Sequence, residues 1–254
     1  MCLINFHYHD HAKYKLIVAA NRDEFYKRPT APAAYWEDEP TILAGRDLLQ
    51  MGTWLGVTKK GRFAALTNYR DPKLAETGNI SRGEIVKSYL ASNETPEEFL
   101  SQLQKNKTAY AGFNILLGNH EELFHYNNVL DEVNKVLPGT HGLSNHTLNT
   151  PWPKVVKGKK MLHEYINNNQ KIDPDELFKI TSDSERASDD ILPNTGVGID
   201  MERMLSPLFI KSPEYGTRSS TVLLIDNNYN VRFHERTYQN GEFQREKQYT
   251  FSIS

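Results

Sequence analysis

Two strand-like runs separated by a short polar gap open the chain, and this pair constrains the fold more than any later stretch. Cys2 to Tyr8 alternates around apolar and aromatic residues and reads as a strand. Lys15 to Asn21, built on Leu16-Ile17-Val18-Ala19-Ala20, reads as a second and more buried one. The polar stretch from His9 to Lys13 supplies a turn. With the turn centred near Ala12, paired residue numbers sum to about 24, so Cys2 faces the neighbourhood of Arg22 and Asp23. If the strand runs on through Asn21-Arg22-Asp23-Glu24, alternation puts Asn21 and Asp23 on one face and Arg22 and Glu24 on the other.

Farther along, Pro29, Pro32 and Pro40 mark Phe25 to Pro40 as an irregular excursion, and Ile42 to Gly52 reads as a connection. Thr53 to Thr58 and Arg62 to Asn68 form a hairpin around Lys59-Lys60-Gly61, and Tyr69 to Ile80 a loop. Ser81 is a candidate N-cap, with Glu84 completing a capping box, for a helix over Arg82 to Ala91. Thr95-Pro96-Glu97-Glu98 opens another that runs to Lys105. Strands follow at Gly112 to Gly118, Glu121 to Tyr126 and Asp131 to Leu137. Helices follow at Lys154 to Asn167 and from Asp173 onward. Ile191 to Ser212 reads as a mixed surface loop. Thr221 to Asp226, Val231 to Thr237 and Gln248 to Ile253 close the chain as strands. Helices grouped between runs of antiparallel strands predict an α+β layered fold rather than a parallel βαβ one. No linker divides the 254 residues, so a single domain over 1–254 is expected.

Composition excludes several classes. A net charge of −2 gives no electrostatic drive toward nucleic acid or acidic membrane. A lone cysteine excludes an intrachain disulfide framework and fits a reducing compartment. No apolar run approaches the roughly 18 residues of a membrane helix, and the start lacks the basic and apolar regions of a signal peptide. A cytoplasmic protein is expected.

Cys2 has a special chemical option. Removal of Met1 would give it an α-amine with a pKa of about 7.7–8.0. That amine can take the thiol proton directly or through water, so no separate histidine is needed. Asp23 could orient the amine, and Arg22 could stabilise a thiolate or a substrate carboxylate. The bland alternative is a small buried hydrophobe at a strand start beside an ordinary charged strand end.

Met1-Cys2, Asn21-Arg22-Asp23-Glu24-Phe25, Arg28-Pro29-Thr30, Gly45-Arg46-Asp47 and Gly52-Thr53-Trp54-Leu55-Gly56 together resemble the NRDE family, the transport and Golgi organisation protein 2 group. Thr67-Asn68-Tyr69-Arg70, Ser81-Arg82-Gly83, Gly142-Leu143-Ser144-Asn145 and Tyr215-Gly216-Thr217-Arg218-Ser219 extend the resemblance over nearly the whole chain. The family in turn is similar to N-terminal nucleophile hydrolases of the choloylglycine hydrolase type. That resemblance implies a four-layer αββα sandwich of two antiparallel sheets. It also implies Cys2 as nucleophile, Asp23 holding the amine, Asn68 and Asn145 as oxyanion donors and Arg218 as a late site arginine, with Asn21, Arg22 and Glu24 in support. In those hydrolases an arginine stands just before the Asn-x-Asp. Ala20 stands there in this chain, and the arginine lies between the two, at Arg22.

Weaker signals are read structurally. His7, His9 and His11 would share one strand face, but the turn interrupts them and no metal site is expected. Lys154, Lys157, Lys159 and Lys160 read as a solvated helix face, and Ser219 and Ser220 as strand-entry residues. Two functions follow. One is an N-terminal cysteine hydrolase or acyltransferase acting on a non-peptide amide or thioester, with no cofactor. The other, implied by the family's links to haem mobilisation and lipid homeostasis, is a binding or trafficking protein whose cleft takes a small-molecule ligand, haem or acyl-coenzyme A.

Overall fold

The computed structural model describes residues 2–74 and 78–254. They divide into two compact units, one holding the chain up to Lys27 with Leu137–Phe251, the other Arg28–Val136 with Ser252–Ser254.

The first unit is built on a six-stranded antiparallel sheet. Its strands are β1 (Cys2–Tyr8), β2 (Tyr14–Phe25), β10 (Gly139–Leu143), β11 (Tyr215–Asp226), β12 (Asn230–Gln239) and β13 (Glu242–Ser252), in the order β10-β1-β2-β11-β12-β13. The opening hairpin has the expected register, with Cys2 opposite Arg22, Ile4 opposite Ala20 and Phe6 opposite Val18. Helices α3 (Pro153–Asn168) and α4 (Pro174–Thr181) cover one face. Val155, Leu162, Leu177 and Phe178 pack there on Leu3, Ile17, Ala19, Val222 and Leu224. The core therefore assigns the faces. Leu3, Ile17 and Ala19 point to the helices, and by alternation so do Asn21 and Asp23.

The second unit is a seven-stranded antiparallel sheet in sequence order: β3 (Thr30–Tyr35), β4 (Ile42–Asp47), β5 (Leu55–Thr58), β6 (Phe63–Asn68), β7 (Phe113–Gly118), β8 (Leu123–Asn127) and β9 (Glu132–Lys135). Helices α1 (Gly83–Ala91) and α2 (Pro96–Lys105) pack one face through Ile85, Val86, Tyr89, Leu100 and Leu103 against Ala64, Leu66, Ile115 and Tyr126. Thr95 caps α2 in a full capping box with Glu98.

Several boundaries differ from expectation for identifiable reasons. β3 forms inside the proline-rich excursion. It is an edge strand with a register shift between Ala31 and Ala34, and an edge or bulge is where a strand tolerates a proline such as Pro32. The expected connection after it is β4, whose Ile42, Leu43 and Ala44 are fully buried. α1 starts later than Ser81 and lacks a side-chain cap. There the backbone of Gly83 lies so close to Gly52 that a Cβ on Gly52 would stand 2.5 Å from the Gly83 carbonyl carbon, so both glycines of the quoted motifs serve close approach. Part of the loop expected over Tyr69 to Ile80, residues 75–77, lies outside the described residues. The expected surface loop after Ile191 contains α5 (Ile199–Leu205) and buries Leu205, Leu208, Phe209 and Ile210.

A polar network crosses the sheet of the second unit. Asn114 donates to Thr67 Oγ1 at 3.3 Å, and its Oδ1 accepts from Asn127 at 2.8 Å and from His125 Nε2 at 3.1 Å. His125 is 2 % exposed, and burial pushes its pKa down to about 4. An imidazole in the unfolded chain titrates near 6.5. Between these values the unfolded state binds a proton that the folded state refuses, so stability is lost as pH falls from about 6.5 to about 4, by about 3 kcal/mol in all. Urea unfolding should show this decline, and His125→Gln should remove most of it.

Candidate active site

β1, β2 and the end of β10 bring six of the expected residues to one end of the sheet: Cys2, Asn21, Arg22, Asp23, Glu24 and Asn145. Cys2 begins β1, is 8 % exposed, and sits directly across from Arg22. Directly paired residues point to the same side of a sheet, so Cys2 and Arg22 share the face away from α3 and α4. Arg22 lies on the strand face opposite Asn21 and Asp23, as alternation predicts, but Cys2 is on that face too. The displaced arginine therefore still reaches the thiol electrostatically. Glu24 accepts an ion pair from Arg22 at 3.7 Å.

β10 pairs with β1 up to Leu143 opposite Ile4, which carries Ser144 and Asn145 alongside Cys2. Ser144 Oγ lies 3.2 Å from the Cys2 carbonyl oxygen and 3.1 Å from Asn145 Oδ1, within donating reach of both. Asn145 is fully buried. With Ser144 at its Oδ1, the amide presents Nδ2 as its donating end.

β11 closes the other side of β2. Its register steps between Thr217, opposite Asp23, and Ser219, opposite Arg22, leaving Arg218 as the extra residue of a bulge. Arg218 thus stands inside a strand rather than before one. Its Nη1 donates to the carbonyls of Phe25 and Tyr26, both at 2.9 Å, which ties down the end of β2. Thr217 Oγ1 donates to Asp23 Oδ1 at 2.8 Å, and Ser220 Oγ to Asn21 Oδ1 at 2.6 Å. Ser219 and Ser220 are likewise strand residues. Asn21 Nδ2 donates to the carbonyls of Thr181 and Leu208 at 2.7 and 2.8 Å. Asn21 is thus a buried clamp joining β2 to the end of α4 and the segment after α5. Asn68 stands in the other unit, half-buried at the end of β6 and in register with Phe113.

The charges are set mainly by burial. It pushes the Cys2 thiol up, reinforced by the Asp23 carboxylate and opposed by the Arg22 charge and the Asp23 backbone N–H. The thiol is a neutral S–H that needs a base to ionise. Burial also raises Asp23, opposed by Lys154, by the Thr217 hydroxyl and by Arg22. Lys154 is thus not part of a solvated helix face. It is 3 % exposed, whereas Lys157 pairs with Asp183 and Glu185 at 2.7 and 2.6 Å. The histidine row also separates. His7 Nδ1 lies 2.8 Å from Thr140 Oγ1, His9 turns to a φ of 48°, and His11 Nε2 lies 3.2 Å from the Asn169 carbonyl.

Ser144 and Thr217 stand in the quoted motifs with no site role implied for them, and Lys154 is not marked for this site. One signal could have found Lys154. Pro153 fixes the first helical position, which puts the lysine ammonium at the end of α3 where a cation is disfavoured.

Residues 1–240 match the model of the family described as Transport and Golgi organisation 2. The chain belongs to that family. Similar Transport and Golgi organization protein 2 homologs are those of Bos taurus, 33 % identical with 93 % of each chain covered, and of Homo sapiens, 32 % identical over 100 % of this chain and 99 % of the relative. Among solved structures, the C2A mutant of the conjugated bile acid hydrolase from Clostridium perfringens superposes with a TM-score of 0.54 over 99 % of this chain and 98 % of the other, at 10 % identity. That likeness shows the fold: this Transport and Golgi organisation 2 family member is an α+β protein of the N-terminal-nucleophile-hydrolase-like sandwich type. Among the described residues no helix is long and apolar enough to cross a membrane.

Proposed function

We propose that the chain is an N-terminal cysteine hydrolase or acyltransferase acting on a non-peptide amide or thioester. One observation carries this reading. At the start of β1 the Cys2 thiol, the Asp23 backbone N–H and, through Ser144, the Asn145 amide converge on one strand end. The fold likeness to a conjugated bile acid hydrolase supports it.

In this reading Met1 is removed and the Cys2 amine takes the thiol proton. Sγ then adds to the substrate carbonyl carbon, and the carbonyl π pair becomes the oxyanion. Asn145 Nδ2 donates to it. Collapse re-forms the carbonyl and breaks the bond to the leaving nitrogen or sulfur, which takes the proton back from the ammonium. Water, or another acceptor, then releases the acyl group from Sγ by the same steps. Asp23 fits the task of holding the ammonium. Its carboxylate lies on the helix side of the sheet while the thiol lies on the other, and the backbone nitrogen of residue 2 lies in the plane between.

The buried, protonated thiol also favours a second reading, in which Cys2 is inert and the protein binds haem or acyl-coenzyme A. Cytoplasmic placement belongs to both proposals. Incubation with a panel of acyl-coenzyme A thioesters and N-acyl amides, followed by intact mass, separates them. Hydrolysis predicts a Cys2-borne acyl adduct that Cys2→Ala abolishes. Saturable binding of haemin or acyl-coenzyme A with no adduct, unchanged in Cys2→Ala, would select the binding function.

A further inference from the structure

A lysine stands where two physical effects oppose it. Lys154 is the second residue of α3, after Trp152 as N-cap and Pro153, and it is 3 % exposed. The N-terminus of a helix carries about half a positive charge, so a cation in this turn is repelled, and burial removes the water that would screen it. Such a lysine requires an anion. Among the described residues the buried carboxylates are Asp23, Glu202 and Glu235. Glu202 accepts from the Thr195 N–H and hydroxyl. Glu235 lies across from Thr221, which pairs with Ala20, so it belongs to the sheet face away from α3. Asp23 is left, on the helix-facing side and 2 % exposed. The groups that act on it include Lys154 from α3 and Thr217 from β11 and, from the opposite face of the sheet, Arg22 of β2 and Cys2 of β1; Tyr26, just past β2, in turn feels its charge. Of these, Lys154 is the strongest force keeping its carboxylate charged against burial.

We propose that Lys154 is a positioning residue of this site, its ammonium facing Asp23 and holding it as the anion that receives the protonated Cys2 amine. The second half of this role rests on the hydrolase reading above; the pairing itself does not. With Lys154 in place, Asp23 meets a second cation without first having to lose a proton. The amine's gain of the thiol proton is then stabilised at the moment it occurs. Without Lys154, burial pushes Asp23 further toward its neutral form, which offers the ammonium only a dipole.

The test is carbon NMR of the full-length protein labelled with carboxyl-¹³C aspartate, the Asp23 signal being assigned by its loss in Asp23→Asn. In Lys154→Met the proton affinity of Asp23 should rise roughly tenfold or more, and Lys154→Arg should restore it to near the wild-type value. A second arm covers loss of folding in the single variant. Asp23→Asn combined with Lys154→Met removes both buried charges and should melt above either single variant. An Asp23 titration unchanged in Lys154→Met, or a double variant no more stable than Lys154→Met alone, overturns the pairing even if Cys2 acylates. A raised titration with no acyl adduct in any variant keeps the pairing and overturns the catalytic role.

Discussion

Asn21→Ala should lower the stability of the protein by about 3–5 kcal/mol, among the largest effects of any single substitution in it. The side chain is 1 % exposed and satisfies three partners at once, the Thr181 and Leu208 carbonyls and the Ser220 hydroxyl. Alanine leaves those groups buried with their hydrogen bonds unmade, and each such group costs about 1–3 kcal/mol. The cavity adds to the loss. Asn21→Asp should fare no better, because a carboxylate cannot donate to the two carbonyls. Urea unfolding of purified variants reads the loss directly. A change below about 1 kcal/mol would mean that Asn21 is not the clamp between β2, the end of α4 and the segment after α5, since that is the size of one ordinary hydrogen bond.

Asn145→Ala should slow acylation of Cys2 by about 10²–10³, the usual cost of one oxyanion donor, while leaving alkylation of the thiol by iodoacetamide unchanged. The two readouts separate the roles. Alkylation needs the thiolate but forms no oxyanion, so a donor to the oxyanion affects only acylation. Ser144→Ala should act in the same direction with a smaller effect, because it removes the hydroxyl at Oδ1 that orients the amide. Thermal melting of both variants controls for stability. Equal slowing of alkylation and acylation would assign Asn145 to supporting the thiol rather than the oxyanion.

The opening hairpin was legible because one polar gap and one apolar run admit a single register, and that register is observed from Cys2 opposite Arg22 to Tyr8 opposite Leu16. What lay beyond its reach depended on long-range pairing. β2 continues through the charged block because β11 pairs with it as far as Phe25, a partner 190 residues away in sequence at Tyr215 and Phe25. β10 lies in a glycine-containing stretch with no alternation, and it is a strand because β1 offers an edge. The site reads in the same way. Asn21, Asp23 and Asn145 could be named from motifs, but the bulge that sets Arg218 needs two aligned strands before it exists. Lys154 looked like one of several helix lysines, because the burial of a single turn of α3 is decided by the sheet under it. The face of Cys2 was also beyond the local pattern. Alternation within β2 separated Arg22 from Asp23, and only the cross-strand pairing put the thiol on the arginine side.

The catalytic account turns on the α-amine of Cys2. Its most direct test is the intact mass of the protein isolated from the cells that make it naturally. The account predicts a chain lacking Met1, with Cys2 as its first residue and an unblocked amine. A chain that retains Met1, or whose Cys2 amine is acylated, has no base for the thiol and would contradict it.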